Sequence, residues 1–115
     1  MKEAFRDKGR LWHIIQYAGN VEKMVCDITF EHFENNMIRY YVVIKNIEII
    51  GETAYVLSKV FIITHPEMSW PQIIGMRPVL VHGYATVSKM KLWKTAIKDI
   101  PVLKQQAISY LKEFE

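Results

Sequence analysis

Two side chains in one short segment have the types for acid–base chemistry on a phosphate. They are Arg77 and His82, within Arg77-Pro78-Val79-Leu80-Val81-His82-Gly83-Tyr84. A histidine titrates near neutral pH and suits proton transfer. An arginine stays cationic and grips two phosphate oxygens at once. Together they suit metal-free cleavage of RNA, in which a base takes the proton of the ribose 2′-hydroxyl and a cation steadies the phosphate. That hydroxyl is the nucleophile DNA lacks. On a regular helix, residues five apart are separated by about 140°. Arg77 and His82 therefore converge only if the arginine reaches across, if the helix distorts near Pro78, or if a second subunit completes the site.

Each of these residues also has a plainer reading. His82 alone would be a hydrogen-bonded surface or cap residue, Arg77 an ordinary ion-paired one, and Tyr84 packing just past a helix end. Glu52 stands among apolar neighbours, where a charge is costly unless paired. It is either a buried partner for an arginine or an amide, or a supporting group that orients Arg77 or His82. Lys91, Lys94 and Lys98 recur at three- and four-residue steps and share one helix face. They form either a solvated face or a row of RNA backbone contacts. Cys26, His13, His32 and His65 read as structural or incidental.

The elements that must position these groups are helical. Leu11, Ile14, Ile15, Ala18, Val21 and Val25 give a first amphipathic helix from about Asp7 to Cys26. Thr29 and Asn35-Asn36 then offer cap chemistry. A long second helix is expected from about Asn36 to Ile63, with Met37, Tyr40, Tyr41, Ile44, Ile47, Ala54, Leu57 and Phe61 as its main stripe. Val42, Val43, Ile49 and Ile50 widen that stripe beyond one face. His65-Pro66 ends the helix, because the residue before proline avoids the α region. Ser69-Trp70-Pro71 starts a third, reaching about His82 with Gly83 as its stop. Ser88 caps a fourth, with the stripe Met90, Trp93, Ile97, Ile100, Leu103, Ala107, Leu111 and Phe114. Pro101 should kink or split it. The expectation is an all-α bundle of four to five helices in one domain spanning residues 1–115.

Composition narrows the class. Half of the 115 residues are hydrophobic, which suits a packed core, and the net charge of +3 permits a nucleic-acid partner without requiring one. The single cysteine allows no internal disulfide and fits a reducing compartment. No histidine pair has zincin spacing, so no metal site and no cofactor is expected. No apolar run approaches a membrane span and no signal core follows the N-terminal charges, so a cytoplasmic protein is expected.

The segment around the motif resembles the HEPN superfamily, specifically the HepT-like toxins that are paired with minimal nucleotidyltransferases. That family carries Arg, four residues, His, any residue, Tyr. The likeness extends through Ile50-Gly51-Glu52, His65-Pro66, Trp70, Ile74-Gly75-Met76 and Trp93, in matching order along essentially the whole chain. It implies a HEPN-type bundle acting as a metal-independent endoribonuclease on RNA, tRNA by analogy, with Arg77, His82 and Tyr84 catalytic. It also implies a homodimer with two motifs across the interface, and a cognate minimal nucleotidyltransferase antitoxin that transfers AMP from ATP to Tyr84. The wide apolar surface of the second helix, Ile47 and Ile50 included, agrees with a second copy. One departure stands out. Pro78 occupies a position that is commonly polar in the family, often Asn; it bears on activity more than on fold. A non-catalytic helical module that binds or presents substrate to a nucleotidyltransferase is the alternative.

Overall fold

The computed structural model describes residues 2–75 and 88–114, and all secondary structure among them is helical. Helix α1 spans Lys2–Val25, α2 Phe30–Glu34, α3 Met37–Tyr55 and α4 Lys59–Thr64; α5 is described over 70–75. Helix α6 spans Lys89–Lys94, a π-helical turn follows over Thr95–Asp99, and α7 spans Ile100–Lys112. The remainder of the expected third helix, with Arg77, His82, Gly83 and Tyr84, lies outside the described residues.

Three long helices make the body. Helix α1 packs along both α3 and α7, and its stripe of Leu11, Ile14, Ala18, Val21 and Val25 is buried. The direction of α1 against α3 follows from its end contacts. Asp7 meets Ser58 just past the end of α3, while the Arg39 Nη1 donates to the Met24 carbonyl at 2.9 Å near its start. That second bond also satisfies one of the orphan carbonyls at the α1 C-terminus. Asp27 ends α1 by taking a left-handed φ of 59°, which a short polar side chain tolerates. At this end of the bundle α2 packs against α3 and α6. Phe33 there meets Tyr40 and Trp93 at ring-centroid distances of 6.0 and 5.3 Å.

The caps read from the sequence are in place. Thr29, Asn36 and Ser88 each accept a backbone amide three residues on, from His32, Arg39 and Lys91. The five-residue α2 between Thr29 and Asn35 is shorter than any periodicity can reveal.

Four readings need correction. The expected helix from Asn36 to Ile63 is two helices, broken at residues 56–58. Ser58 adopts extended backbone and caps α4 by accepting from the Phe61 amide, while Asp7 holds the Ser58 amide at 2.9 Å and its hydroxyl at 2.6 Å. A long-range partner thus outweighs local helical continuity. Met37 and Tyr41 are exposed rather than part of the buried stripe, which runs instead through Tyr40, Val43, Ile44, Ile47, Ile50 and Ala54. Ile47 and Ile50, each 1% exposed, lie in the core of a single subunit and not on a surface offered to a second copy.

The fourth correction concerns phase. Met90 and Ile97 are exposed and Trp93 is half-buried, while Leu92 and Ala96 face the core ahead of Ile100, Leu103, Ala107 and Tyr110. Pro101 is the cause. It has no amide to give and its ring crowds the carbonyl four residues back. The chain answers with the π turn, in which the Ile100 amide donates to the Thr95 carbonyl five residues back. The extra residue rotates everything upstream by about one position. Pro101 then sits in the first turn of α7, where a missing amide costs nothing.

Candidate functional site

Helix α5 leads into the Arg77–Tyr84 segment, and its start is fixed by an aromatic and ionic latch. The chain leaves α4 at His65 and turns at Pro66 toward Ser69, the residue ahead of α5. The His65 ring stacks on Phe61 at 3.9 Å and meets Tyr110 edge-on at 4.6 Å. Its Nε2 lies 2.8 Å from the Glu113 Oε1 and its Nδ1 lies 2.8 Å from the Phe61 carbonyl. Both partners are acceptors, and the Thr64 hydroxyl also lies 3.1 Å from Nδ1; the imidazolium, with both ring nitrogens donating, satisfies Glu113 and the Phe61 carbonyl together. Trp70 Nε1 donates to the His65 carbonyl at 2.8 Å, and the Tyr110 hydroxyl donates to the Glu67 Oε2 at 3.3 Å. Burial pushes the Tyr110 phenol up, helped by the neighbouring Glu67 charge and hydrogen bond.

Burial acts against the His65 cation, but the hydrogen bonds to Glu113 and the Phe61 carbonyl, with the charges of Glu113 and Glu67, outweigh it and raise its pKa above the ordinary value. The folded state therefore holds this proton more tightly than the unfolded chain does. The resulting stability is complete below about pH 6.5 and is lost as pH rises through the raised folded value. The melting temperature should accordingly fall as pH climbs from about 6 through the neutral range. In Glu113→Gln that slope should flatten; equal slopes in the two proteins would show that the latch does not store its stability in this proton.

On the other side of the segment, Ser88 caps α6 and the lysine row begins. Lys91, Lys94 and Lys98 are all exposed, and the structure brings them together along one shallow hollow with Gln72 of α5, Ser88, Thr95 and Asp99. Glu52 is not where the sequence reading put it. It is exposed on the outer face of α3, so it is not a buried partner, and water solvates its charge. The buried acids are instead Asp7, 3% exposed and held by Ser58 and Arg10, and Glu48, 6% exposed with the Lys45 ammonium at 3.4 Å. Asp7 was legible after all: it stands four residues before Leu11, in phase with the buried stripe of α1. Arg77, His82 and Tyr84 lie outside the described residues. Among the described residues no group of histidine, cysteine, aspartate and glutamate is placed to hold a metal ion, and no helix is long and apolar enough to cross a membrane.

The chain matches the family described as Ribonuclease HepT-like over residues 14–109. It belongs to that family. A Thermococcus cleftensis protein named "Probable ribonuclease HepT" is 38% identical over 104 residues, covering 90% of this chain and 93% of that one. A Methanocaldococcus jannaschii protein named "Putative RNase MJ1380" is 32% identical over 99 residues, covering 86% and 91%. No solved structure matches the chain. The all-α bundle is thus a HepT-like, HEPN-type fold, and the matched range takes in most of the described core, the lysine row and the Arg77–Tyr84 segment.

Proposed function

We propose that this HepT-like protein is a toxin-type endoribonuclease that cuts RNA, tRNA in the first instance, without a metal ion. The observation that carries this reading is the family match across residues 14–109, a range within which Arg77, His82 and Tyr84 fall. His82 takes the proton from a ribose 2′-hydroxyl. The 2′-oxygen then bonds to phosphorus, the bond to the 5′-oxygen breaks, that oxygen takes a proton from water, and a cyclic phosphate and a 5′-hydroxyl result. Arg77 holds the phosphate oxygens as charge builds on them. Lys91, Lys94 and Lys98, solvent-facing and downstream of the motif, guide the backbone.

The working species is a homodimer, two copies meeting through the outer face of α3 and α4. Ile38, Tyr41 and Tyr55 on α3, with Val60 and Ile63 on α4, leave apolar surface in water in the single chain. Glu52 lies on that same outer face and supports the site from there. Regulation comes from a partner minimal nucleotidyltransferase. The Tyr84 oxygen attacks the α-phosphorus of ATP, pyrophosphate leaves and the phenol proton is released. The attached nucleotide then puts negative charge and bulk where the RNA phosphate must sit.

Purified protein should cut RNA in EDTA. After incubation with the partner enzyme and ATP it should gain AMP-sized mass on Tyr84 and stop cutting. Pro78, which supplies neither an amide nor a polar side chain at its position, favours a second reading, a non-catalytic module that binds the nucleotidyltransferase. Gain of mass with no RNA cleavage before it would establish that second reading and overturn the first.

A further inference from the structure

A half-open cleft of about 160 Å³ lies between α3, the beginning of α5, the π turn and α7. Its lining is largely apolar, with Ile47, Ile50, Ile73 and Ile100, and also includes Ser69, Gln72, Thr95 and Asp99. Gln72, Thr95 and Asp99 also line the hollow that holds Lys91, Lys94 and Lys98. An apolar slot and a cationic shelf therefore share one wall. Asp99 is the unusual member. It occupies the position before α7 where aspartate normally caps a helix, yet its side chain makes no capping bond. The π turn runs helical backbone straight through that position, and Asp99 lines both slot and shelf. A carboxylate there works against simple anion binding, so the pair of cavities is poorly suited to a plain polyanion.

We infer that the cleft holds one unpaired base of an RNA strand whose phosphates lie on Lys91, Lys94 and Lys98, and that Asp99 reads the base, favouring guanine. This deepens the ribonuclease reading and rests on it for the choice of RNA as ligand. The size is adequate: an apolar protein cavity of about 150 Å³ accommodates a benzene ring, and a base entering a half-open slot leaves its polar edge at the mouth. Single-stranded RNA is recognised by such splayed-out bases, through their stacking faces and hydrogen-bonding edges. Guanine presents a ring N–H beside an exocyclic amine, two adjacent donors for the two oxygens of a carboxylate. The other bases place a single donor, or a donor beside an acceptor, at that edge. The Gln72 amide and Thr95 hydroxyl at the shared wall can donate or accept beside it.

The test uses the full chain in EDTA and four tetranucleotides, identical except for G, A, C or U at one position. Their 2′-hydroxyls are methylated so that they bind but cannot be cut. The G-containing strand should bind about tenfold more tightly than the others, within the range of one well-formed bidentate contact, and should shift the methyl resonances of Ile73 and Ile100. Asp99→Ala should erase the preference while binding of the U strand stays equal or tightens, since a negative charge leaves the shelf. Lys94→Ala with Lys98→Ala should weaken all four strands alike and lower the salt dependence. Equal binding of the four strands by the wild type, or a preference that survives Asp99→Ala, would overturn the assignment. So would displacement by an acidic phosphopeptide with the same methyl shifts. Cleavage of unmethylated RNA by the same protein preparations separates the two claims. Cleavage without base preference sinks the cleft and leaves the ribonuclease. Base preference without cleavage does the reverse.

Discussion

His82→Ala should lower RNA cleavage by about 10²- to 10⁴-fold, the usual contribution of a positioned acid or base. At neutral pH the other groups of the motif are poor substitutes: Arg77 stays protonated and the Tyr84 phenol ordinarily titrates near pH 10. Arg77→Ala should fall comparably, and Arg77→Lys should recover little, because a point charge does not reproduce a two-pronged grip on phosphate. The informative control is a second histidine, His65. His65→Ala should lower the melting temperature, since it releases the Glu113, Phe61 and Tyr110 contacts. Below its own melting point it should still cut RNA, because His65 acts on the fold. Equal cleavage by wild type and His82→Ala, at matched purity and matched circular dichroism, would remove His82 from the mechanism.

Asp7→Ala should cost about 2–4 kcal/mol of folding stability, the largest effect expected from a single side chain outside the motif. The carboxyl group is 3% exposed and accepts two short hydrogen bonds from Ser58, one from the amide and one from the hydroxyl, with the Arg10 Nη1 at 3.6 Å. Truncation strands the Ser58 donors and removes the counter-charge of Arg10 together. For a chain of this length the melting temperature should drop by roughly 8 °C or more. Asp7→Asn should fall less, since it keeps one oxygen as acceptor. Ser58→Ala loses the α4 cap as well as the Asp7 bond. In the double variant the two losses should not add, because both report one contact. A change below about 0.5 kcal/mol in Asp7→Ala would mean that the α3–α4 break is set locally and Asp7 only decorates it.

The class of fold, the family and the starts of α3, α5 and α6 were legible because they rest on local rules. The α1 stripe follows from three- and four-residue spacing of Leu11, Ile14, Ala18, Val21 and Val25. Thr29, Asn36, Ser69 and Ser88 announce helix starts by backbone chemistry that needs no distant partner, and Pro66 and Pro101 announce disruptions for the same reason. Arg77, His82 and Tyr84 were nominated from the sequence, since they lie close together in the chain and their side-chain types suggest chemistry, and all three lie outside the described residues.

What depended on distant partners was out of reach. The break between α3 and α4 is decided by a carboxyl group 51 residues away, at Asp7. The burial of Glu48 in place of Glu52, and of Ile47 and Ile50 inside one subunit, depends on which arc of a broadly apolar α3 meets α1. Periodicity gives the width of an apolar stripe without naming the neighbour that covers it. Pro101 signalled a disruption, but whether the helix would kink, stop or widen depended on how the backbone upstream could repack. The π turn chosen there shifts the phase of Trp93 and Ile97 and brings Thr95 and Asp99 to the wall between the cleft and the lysines. Sequence alone determined which helices form and which residues can do chemistry. Tertiary packing decided which faces are buried and which side chains meet, because burial and hydrogen bonding between distant residues exist only once the chain has folded.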